Sequence, residues 1–325
     1  MRFALAETTG TALRFALAAS TTALRFALAA ENGVTRMFVT GGSGMVGGYV
    51  RSVFEGVELF VTDLVGAERV DVRDRDLVQR VIRDVRPDVV LHLAAATDVD
   101  RCQTEPEWAR LNNAVGTENV AIAARDVGAV LVYISTSSVF SGEKAEPYIE
   151  SDAPGPVNVY ATTKLEGERI VSAVLPRAYI VRAGWMIGGG AVDTKFVGKM
   201  AELIAAGRTP LRAVADTFGS PTYAKDLLAG IRRLLATERY GLYHMANAGT
   251  CTRYDMALAI VEALGRRDVI VEKADSSAFP LPAPRPRSEA MRNANLQALG
   301  MEQRPWREAL HEYVTVELAP RLTRA

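Results

Sequence analysis

The run MFVTGGSGMVGGYVRSVF, Met37–Phe54, decides the fold of this chain. A short apolar strand leads into a glycine turn, and a helical pattern follows it. Gly41, Gly44 and Gly47 form a G-x2-G-x2-G motif. The first glycine permits the tight turn, the second lets a pyrophosphate approach the backbone, and the third lets the helix pack closely on the strand. Because the N-terminus of that helix faces the phosphates, the run predicts a dinucleotide-binding unit.

A second strand, Val57–Thr62, ends at Asp63. An acidic side chain at this point accepts hydrogen bonds from an adenosine ribose and repels a 2′-phosphate. The position therefore favours NAD over NADP, although Arg69 could still accommodate the extra phosphate. The structural alternative is a turn residue at a strand end.

Strand and helix patterns continue to alternate beyond Asp63. The segments are a helix over Asp74–Val85, a strand over Val89–Leu93, a long helix over Glu105–Asp126 and a strand over Ala129–Ile134. This alternation predicts an α/β protein with a Rossmann-type, doubly wound parallel sheet. Small residues at the end of the third strand leave room for a ligand; they are Ala94, Ala95 and Ala96. His92, inside that apolar strand, is expected to be a hydrogen-bonded core residue.

Tyr160 and Lys164 stand four residues apart in a helical run, so both side chains emerge on one face. An ammonium group there is expected to lower the pKa of the phenol and make it a proton donor. Thr136 follows a strand at its carboxyl end and would orient a carbonyl oxygen through its hydroxyl. Ser135 or Ser137 would take that part if the register differs by one residue. Together these residues predict reduction of a ketone by a nicotinamide cofactor.

From Trp185 onward the alternation fades, which predicts a smaller mixed C-terminal domain for the substrate. We expect a dinucleotide-binding domain over residues 37–184 and a substrate-binding domain over 185–325, with some segments returning to the Rossmann sheet. Trp185 would pack against a sugar or fill the core. Arg285 lies in the proline-rich stretch FPLPAPRPR, where its guanidinium could meet a diphosphate or remain solvated.

The composition narrows the class of protein. Formal net charge is zero over 325 residues, which gives no indication of a nucleic-acid or anionic-membrane partner. The two cysteines, Cys102 and Cys251, fit a reducing compartment such as the cytoplasm. Three scattered histidines offer little material for a metal site, so we expect none. A run of apolar residues long enough to span a bilayer is also absent from the sequence.

Residues 1–36 differ from the rest, because the pentapeptide RFALA occurs three times within them. An arginine-bearing, acid-poor leader can be an organellar transit peptide or an interfacial anchor. The preferred interpretation is a low-complexity extension, or an upstream start codon, that is not part of the fold.

With these motifs in this order, the chain resembles the dTDP-4-dehydrorhamnose reductase family. Its members are extended short-chain dehydrogenases/reductases that act on sugar nucleotides. The matching segments run from Met37 nearly to the C-terminus and include YISTSSVF, VYATTKLEGE and FGSPTYAKDLL. The family usually has Asp-Tyr where this chain has Ser137-Ser138, Asn at His92 and Ser at Glu289.

The resemblance implies NADPH- or NADH-dependent reduction of the 4-keto group of a nucleotide-linked 6-deoxyhexose, in dTDP-rhamnose biosynthesis. It implies Thr136, Tyr160 and Lys164 as catalytic residues, and a possible homodimer. The implied cofactor site comprises Gly41, Ser43, Gly44, Met45, Gly47, Asp63, Asp71, Val72, Ala94, Ala95, Ala96, Tyr160 and Lys164. The implied substrate site comprises Thr97, Thr136, Ser137, Trp185 and Arg285. Two alternatives remain: a nucleotide-sugar epimerase or dehydratase that keeps its NAD, and a non-catalytic cofactor-binding regulatory subunit.

Overall fold

A computed structural model describes residues 34–66 and 68–322 of the chain. Its centre is a six-stranded sheet in the order β10-β5-β4-β3-β1-β2, and every neighbouring pair is parallel. The strands of this sheet are β1 (Arg36–Thr40), β2 (Glu58–Thr62), β3 (Val89–His92), β4 (Val130–Thr136), β5 (Ala178–Ala183) and β10 (Gly241–His244). The order changes direction between β1 and β3, which is where doubly wound sheets open a ligand crevice. The predicted α/β, Rossmann-type fold is confirmed.

Helices cover both faces of the sheet. The α-helices of the described residues are α1 (Val50–Val53), α2 (Arg75–Val85), α3 (Val99–Thr104), α4 (Pro106–Arg110), α5 (Gly116–Val127), α6 (Val159–Val174), α7 (Phe196–Ala205), α8 (Ala224–Leu235), α9 (Arg253–Ala263), α10 (Ala294–Ala298), α11 (Trp306–Glu312) and α12 (Ala319–Leu322). Along β1, Met37 and Val39 pack against the face covered by α8, whereas Phe38 packs against the face covered by α2, α5 and α6. Burial on both faces explains why the strands are continuous apolar runs.

The C-terminal part of the chain builds a second core beside the carboxyl edge of the sheet. Three two-stranded parallel ladders form there, from β6 (Trp185–Ile187) with β9 (Pro221–Tyr223), β7 (Leu211–Val214) with β11 (Val271–Ala274), and β8 (Phe218–Gly219) with β12 (Ser288–Glu289). Apolar side chains of α7, α9 and α11 pack together on this side. The ladders bring residues 36, 60 and 70 positions apart next to each other.

Several element boundaries differ from the sequence prediction. β1 begins at Arg36, one residue earlier than expected, because Asp88 accepts hydrogen bonds from the backbone of Thr35 and Arg36 at 2.8 and 2.9 Å. β4 continues to Thr136, past the predicted end at Ile134. The long helix expected over 105–126 is α4 and α5 joined by a π-helical turn, Leu111–Val115. The predicted low-complexity extension lies, up to residue 33, outside the described residues.

Helix α6 is fixed to the sheet by contacts that its sequence encodes. Asn158 caps it by accepting the backbone N–H of Ala161 at 2.9 Å, which sets the start of the first turn. One turn beyond Lys164, the carboxylate of Glu168 makes a two-pronged ion pair with Arg182 of β5, at 2.8 and 2.7 Å. The side chains at Tyr160 and Lys164 are therefore carried to the carboxyl end of the sheet.

His92 is held in a buried chain of hydrogen bonds. Its Nδ1 lies 2.8 Å from the hydroxyl of Thr40, and its Nε2 lies 3.1 Å from that of Thr117. Since Thr117 donates to the carbonyl of Asn113 at 2.7 Å, we infer that Nε2 of His92 carries the proton. Burial, helped by the charge of Lys164, lowers the pKa of His92 to about 3, so the ring is neutral.

In the part of the chain that the structure covers, every helix is too short or too polar to cross a membrane.

The buried neutral His92 makes stability depend on pH. Its pKa falls from about 6.5 in the unfolded chain to about 3 in the folded protein, so unfolding takes up a proton between these values. The free energy of unfolding should therefore decrease as pH falls below 6.5. In His92→Asn, the slope of that free energy against pH between 4.5 and 6 should be smaller by up to about 1.4 kcal/mol per pH unit.

The measurement is urea unfolding at a series of pH values. His311→Asn is the matched control, because His311 is exposed. Equal slopes in the wild-type protein and His92→Asn would contradict the assignment of a neutral, buried ring.

Candidate active site

One cavity of about 570 Å³ opens at the carboxyl ends of the parallel strands. It begins at the glycine turn after β1, passes the ends of β3 and β4, and reaches the β6 segment at Trp185. A cleft of this size suits a cofactor and a small substrate lying end to end.

The glycine turn provides the close backbone approach that a dinucleotide needs. Gly41 has φ of +72°, and a Cβ there would lie 2.6 Å from the amide nitrogen of Ala94. Gly47 lies beneath the turn, where a Cβ would lie 2.2 Å from the carbonyl oxygen of Gly42. Gly41, Ser43, Gly44 and Met45 line the cavity. The turn therefore fits the predicted pyrophosphate site.

Asp63 lines the same end of the cavity and also braces the turn. Its Oδ2 accepts the backbone N–H of Ser43 at 2.9 Å, and its Oδ1 accepts that of Leu64 at 2.6 Å. Spare acceptor positions on this carboxylate remain for a ribose. Asp63 is therefore a turn residue, one of the two alternatives of the sequence analysis, and its place in the cavity lining is compatible with the other, a cofactor contact.

The loop after β3 contributes unevenly to the cavity. Ala94, Ala95 and Thr97 line it. Ala96 is instead buried, with its backbone N–H and carbonyl bonded to the side chain of Asn113 at 2.7 and 3.1 Å. Ala96 thus fixes the loop and does not line the cavity.

Two further residues from the cofactor prediction differ in their placement. Val72 lines the cavity. Asp71 is absent from the cavity lining in the described residues, and its carboxylate pairs with Arg73 at 2.6 Å. This ion pair lowers the pKa of Asp71, since the guanidinium favours the charged carboxylate.

Thr136 and Tyr160 meet inside the cavity. The Thr136 hydroxyl oxygen accepts the backbone N–H of Ser138 at 3.1 Å, which orients it, and the hydroxyl lies close enough to the phenol of Tyr160 to lower the pKa of that phenol. The two neighbouring serines point elsewhere: Ser135 donates to Glu168 at 2.5 Å and Ser137 to Glu289 at 3.1 Å. Among the three candidates for holding a carbonyl oxygen, Thr136 is the one that is paired with Tyr160.

Lys164 lines the cavity although its side chain is almost fully buried. Its Nζ lies 4.2 Å from the centroid of the Tyr133 ring, a cation–π arrangement. Burial lowers the pKa of Lys164 to about 7, while the carboxylate of Glu168 opposes that shift. The ammonium group is therefore close to its titration point at neutral pH.

The pKa of Tyr160 departs from the expectation. Burial raises the pKa of Tyr160 to about 12, and the charge of Glu289 adds to the rise. The nearby hydroxyl of Thr136 lowers this pKa but only partly offsets the rise. The expected lowering by Lys164 is wrong for this structure, because desolvation dominates both groups. A phenol with this pKa still protonates an alkoxide readily, because an alkoxide is about as basic as hydroxide and the pKa of water is about 16.

The far end of the cavity is built around Trp185. Gly219 lies under the indole, where a Cβ would lie 2.3 Å from a ring carbon. The guanidinium of Arg253 stacks on the indole at 3.8 Å and also faces Phe196 at 5.0 Å. Burial lowers the pKa of Arg253 to about 10, so it remains a cation at neutral pH.

Arg285 is placed differently from its prediction. Its guanidinium donates to Asp100 at 2.9 Å and to the carbonyl of Ala283 at 2.7 Å, and neither Arg285 nor Ser137 is among the described residues that line the cavity. The sequence analysis missed three charged groups that do line it, namely Lys195, Arg253 and Glu289. Only Glu289 could have been noticed in the sequence, because the family usually has Ser at that position.

Comparison with known proteins agrees with this geometry. The family model described as "RmlD substrate binding domain" matches residues 35–318. The dTDP-4-dehydrorhamnose reductase of Mycolicibacterium smegmatis is 39% identical over 279 residues, 85% of this chain and 84% of the relative.

Two solved structures are also similar. That of a dTDP-4-dehydrorhamnose reductase from Clostridium acetobutylicum has a TM-score of 0.82 at 35% identity, covering 87% of this chain and 99% of the other. That of the Bacillus anthracis enzyme in complex with NADP has a TM-score of 0.81 at 34% identity, covering 86% and 98%. The chain therefore belongs to the dTDP-4-dehydrorhamnose reductase family, as the sequence resemblance predicted.

Proposed function

We propose that this protein reduces the 4-keto group of dTDP-4-dehydrorhamnose, or of a closely similar nucleotide-linked 6-deoxyhexose, with NADPH or NADH. The observation that carries the proposal is that Thr136, Tyr160 and Lys164 line the same cavity as the glycine turn, with Thr136 close to the phenol of Tyr160. The relatives supply the substrate class, since they are reductases of that name.

The chain's own residues have distinct parts in this reaction. When bound, the nicotinamide supplies the hydride. Thr136 holds the carbonyl oxygen, and Tyr160 gives its phenolic proton to the oxygen as negative charge develops there. Lys164 stabilises the phenolate that remains, from its buried position against the Tyr133 ring.

The two halves of the cavity bind different ligands in this proposal. We assign residues 37–184 to the cofactor and residues 185–325 to the sugar nucleotide, with β10 completing the central sheet. The stacked guanidinium of Arg253 suits the diphosphate of the substrate, as a planar donor held in one orientation. The two cysteines are free and buried, which fits a reducing compartment, so we infer that the enzyme works in the cytoplasm. The family resemblance is the basis for inferring a homodimer.

The direct test uses purified protein and dTDP-4-dehydrorhamnose formed in place from dTDP-4-keto-6-deoxyglucose by an epimerase. Consumption of NADH and of NADPH is followed separately. Oxidation of either cofactor in proportion to sugar reduced is the expected result. Absence of oxidation with both cofactors would contradict the proposal, and NAD released on denaturation would favour an epimerase or dehydratase.

Replacing Tyr160 by Phe removes the proton donor and keeps the ring. Turnover should fall by about 10²–10⁴-fold, the usual contribution of a general acid. Cofactor affinity, measured by fluorescence titration, should remain that of the wild-type protein. Tyr240→Phe is the control, since this ring packs against Tyr179 outside the cavity lining. A loss of turnover of only a few-fold in Tyr160→Phe would show that Tyr160 is not the proton donor.

Lys164 should make the reaction pH-dependent. With its pKa at about 7, the group is cationic at lower pH and neutral at higher pH, while Tyr160, at about 12, stays protonated throughout. The value of kcat/KM for the sugar should therefore decline as pH rises through 7.

In Lys164→Arg, whose charge persists to high pH, any remaining activity should not show this decline. Rates between pH 5.5 and 9 test both statements. A flat wild-type profile, or the same decline in both proteins, would contradict them.

Asp63 should discriminate between the cofactors, because its charge opposes a 2′-phosphate. In Asp63→Asn, the ratio of kcat/KM for NADPH to that for NADH should rise by about tenfold or more, since like charges in contact cost several kcal/mol. Asp76→Asn, on the exposed side of α2, is the control. An unchanged ratio in Asp63→Asn would show that this carboxylate only braces the turn.

A further inference from the structure

Glu289 is a buried carboxylate at the sugar end of the cavity, brought there by a short ladder. β12 pairs with β8 so that Glu289 lies opposite Gly219, the residue beneath the Trp185 indole. Its residue surface is only 7% exposed, yet it lines the cavity. A charged side chain so placed costs free energy unless it is well bonded or used.

Three side chains hold this carboxylate in a fixed orientation. Oε2 accepts the hydroxyl of Ser137 and the indole N–H of Trp185, both at 3.1 Å, and Oε1 accepts the hydroxyl of Ser138 at 3.0 Å. A carboxylate offers about four acceptor positions. One position, on Oε1, therefore remains beyond these three bonds.

The residues that hold Glu289 also adjoin the reacting group. Ser137 and Ser138 directly follow Thr136, and the backbone N–H of Ser138 donates to the Thr136 hydroxyl oxygen. The charge of Glu289 is also close enough to raise the pKa of Tyr160. The Glu289 carboxylate thus lies near Thr136 and Tyr160, the residues that hold the carbonyl oxygen in the proposed reaction.

The three positions at which this chain departs from the family pattern here are in contact with one another. The family pattern has an acid at 137 and a hydroxyl at 289, whereas this chain has a hydroxyl at Ser137 and an acid at Glu289. The hydroxyl and the carboxylate are bonded to each other at 3.1 Å. The acid and the hydroxyl of this contact are therefore exchanged between the two positions.

We propose that Glu289 is a specificity-determining residue that accepts a hydrogen bond from the hydroxyl on the sugar carbon next to the reacting carbonyl. This inference rests on the proposed function, because it assumes a nucleotide-linked keto sugar in the cavity. An ionised carboxylate accepts and cannot donate, so it selects a hydroxyl and rejects a sugar without a donor at that carbon. Glu289 accepts hydrogen bonds from Ser137 and Ser138, which directly follow Thr136 in the chain. The residue that selects the sugar hydroxyl is therefore linked to the residue that orients the carbonyl.

The test compares two substrates in two proteins. The substrates are the dTDP-linked 4-keto-6-deoxy sugar and its 3-deoxy analogue, and the variant is Glu289→Gln. With the hydroxylated sugar, kcat/KM of the variant should fall about 10- to 100-fold, the size expected for a hydrogen bond to a charged group. With the analogue, wild type and variant should agree within about twofold, as for independent changes.

Glu118→Gln, on the exposed side of α5, is the matched control and should behave as the wild type with both substrates. Cofactor affinity and melting temperature report whether Glu289→Gln has kept its fold. An equal loss on both substrates would mean a structural role and would overturn the proposal.

Two outcomes do not depend on the variant. If wild type reduces the 3-deoxy analogue as well as the hydroxylated sugar, the proposal is wrong whether or not Glu289→Gln folds. If wild type reduces neither sugar, the proposed function fails, and calorimetric titration of the two sugar nucleotides then decides this inference. Weaker binding of the 3-deoxy analogue supports it, and equal affinity overturns it.

Discussion

The seating of α6 on the sheet is the constraint on which the rest of the structure depends. Gly167 allows the closest contact, since a Cβ there would lie 2.3 Å from the hydroxyl oxygen of Tyr133 on β4. One residue later, Glu168 binds Arg182 and Ser135, which lie on β5 and β4. Loss of one partner of such a buried ion pair typically costs about 3–5 kcal/mol. The position of α6 in turn determines where Tyr160 and Lys164 stand relative to the ends of the strands.

The electrostatics of the site follow from that seating. Because Lys164 enters the cavity through a buried position, its ammonium group is partly desolvated and close to neutrality at physiological pH. The same burial keeps the phenol of Tyr160 protonated. A protonated phenol near an amine that is cationic below its pKa of about 7 is suited to giving a proton to an oxygen that becomes negatively charged, and desolvation strengthens each interaction with that oxygen.

Local patterns in the sequence were sufficient to bring the glycine turn, Asp63, Tyr160 and Lys164 together in one cavity. The glycine turn, Asp63 and the Tyr160–Lys164 spacing each lie within one strand, turn or helix, where spacing determines geometry. Arg253 and Glu289 could not be predicted in this way, since they reach the cavity through the second core and the β8–β12 ladder. Arg285 was misplaced for the same reason, because its partner Asp100 lies 185 residues away in sequence. The sign of the Tyr160 shift was wrong because spacing gives no measure of burial.

The central claim is that hydride passes to the keto carbon of the sugar while Tyr160 protonates the oxygen. The most direct measurement is a single turnover with NADPH deuterated at the transferring position of the nicotinamide, followed by mass spectrometry and NMR of the sugar. The account predicts one deuterium at C4 of the reduced sugar, formed about 10²–10⁴-fold more slowly in Tyr160→Phe. A reduced sugar without deuterium at C4, or deuterium retained by the cofactor while the sugar changes configuration, would contradict it.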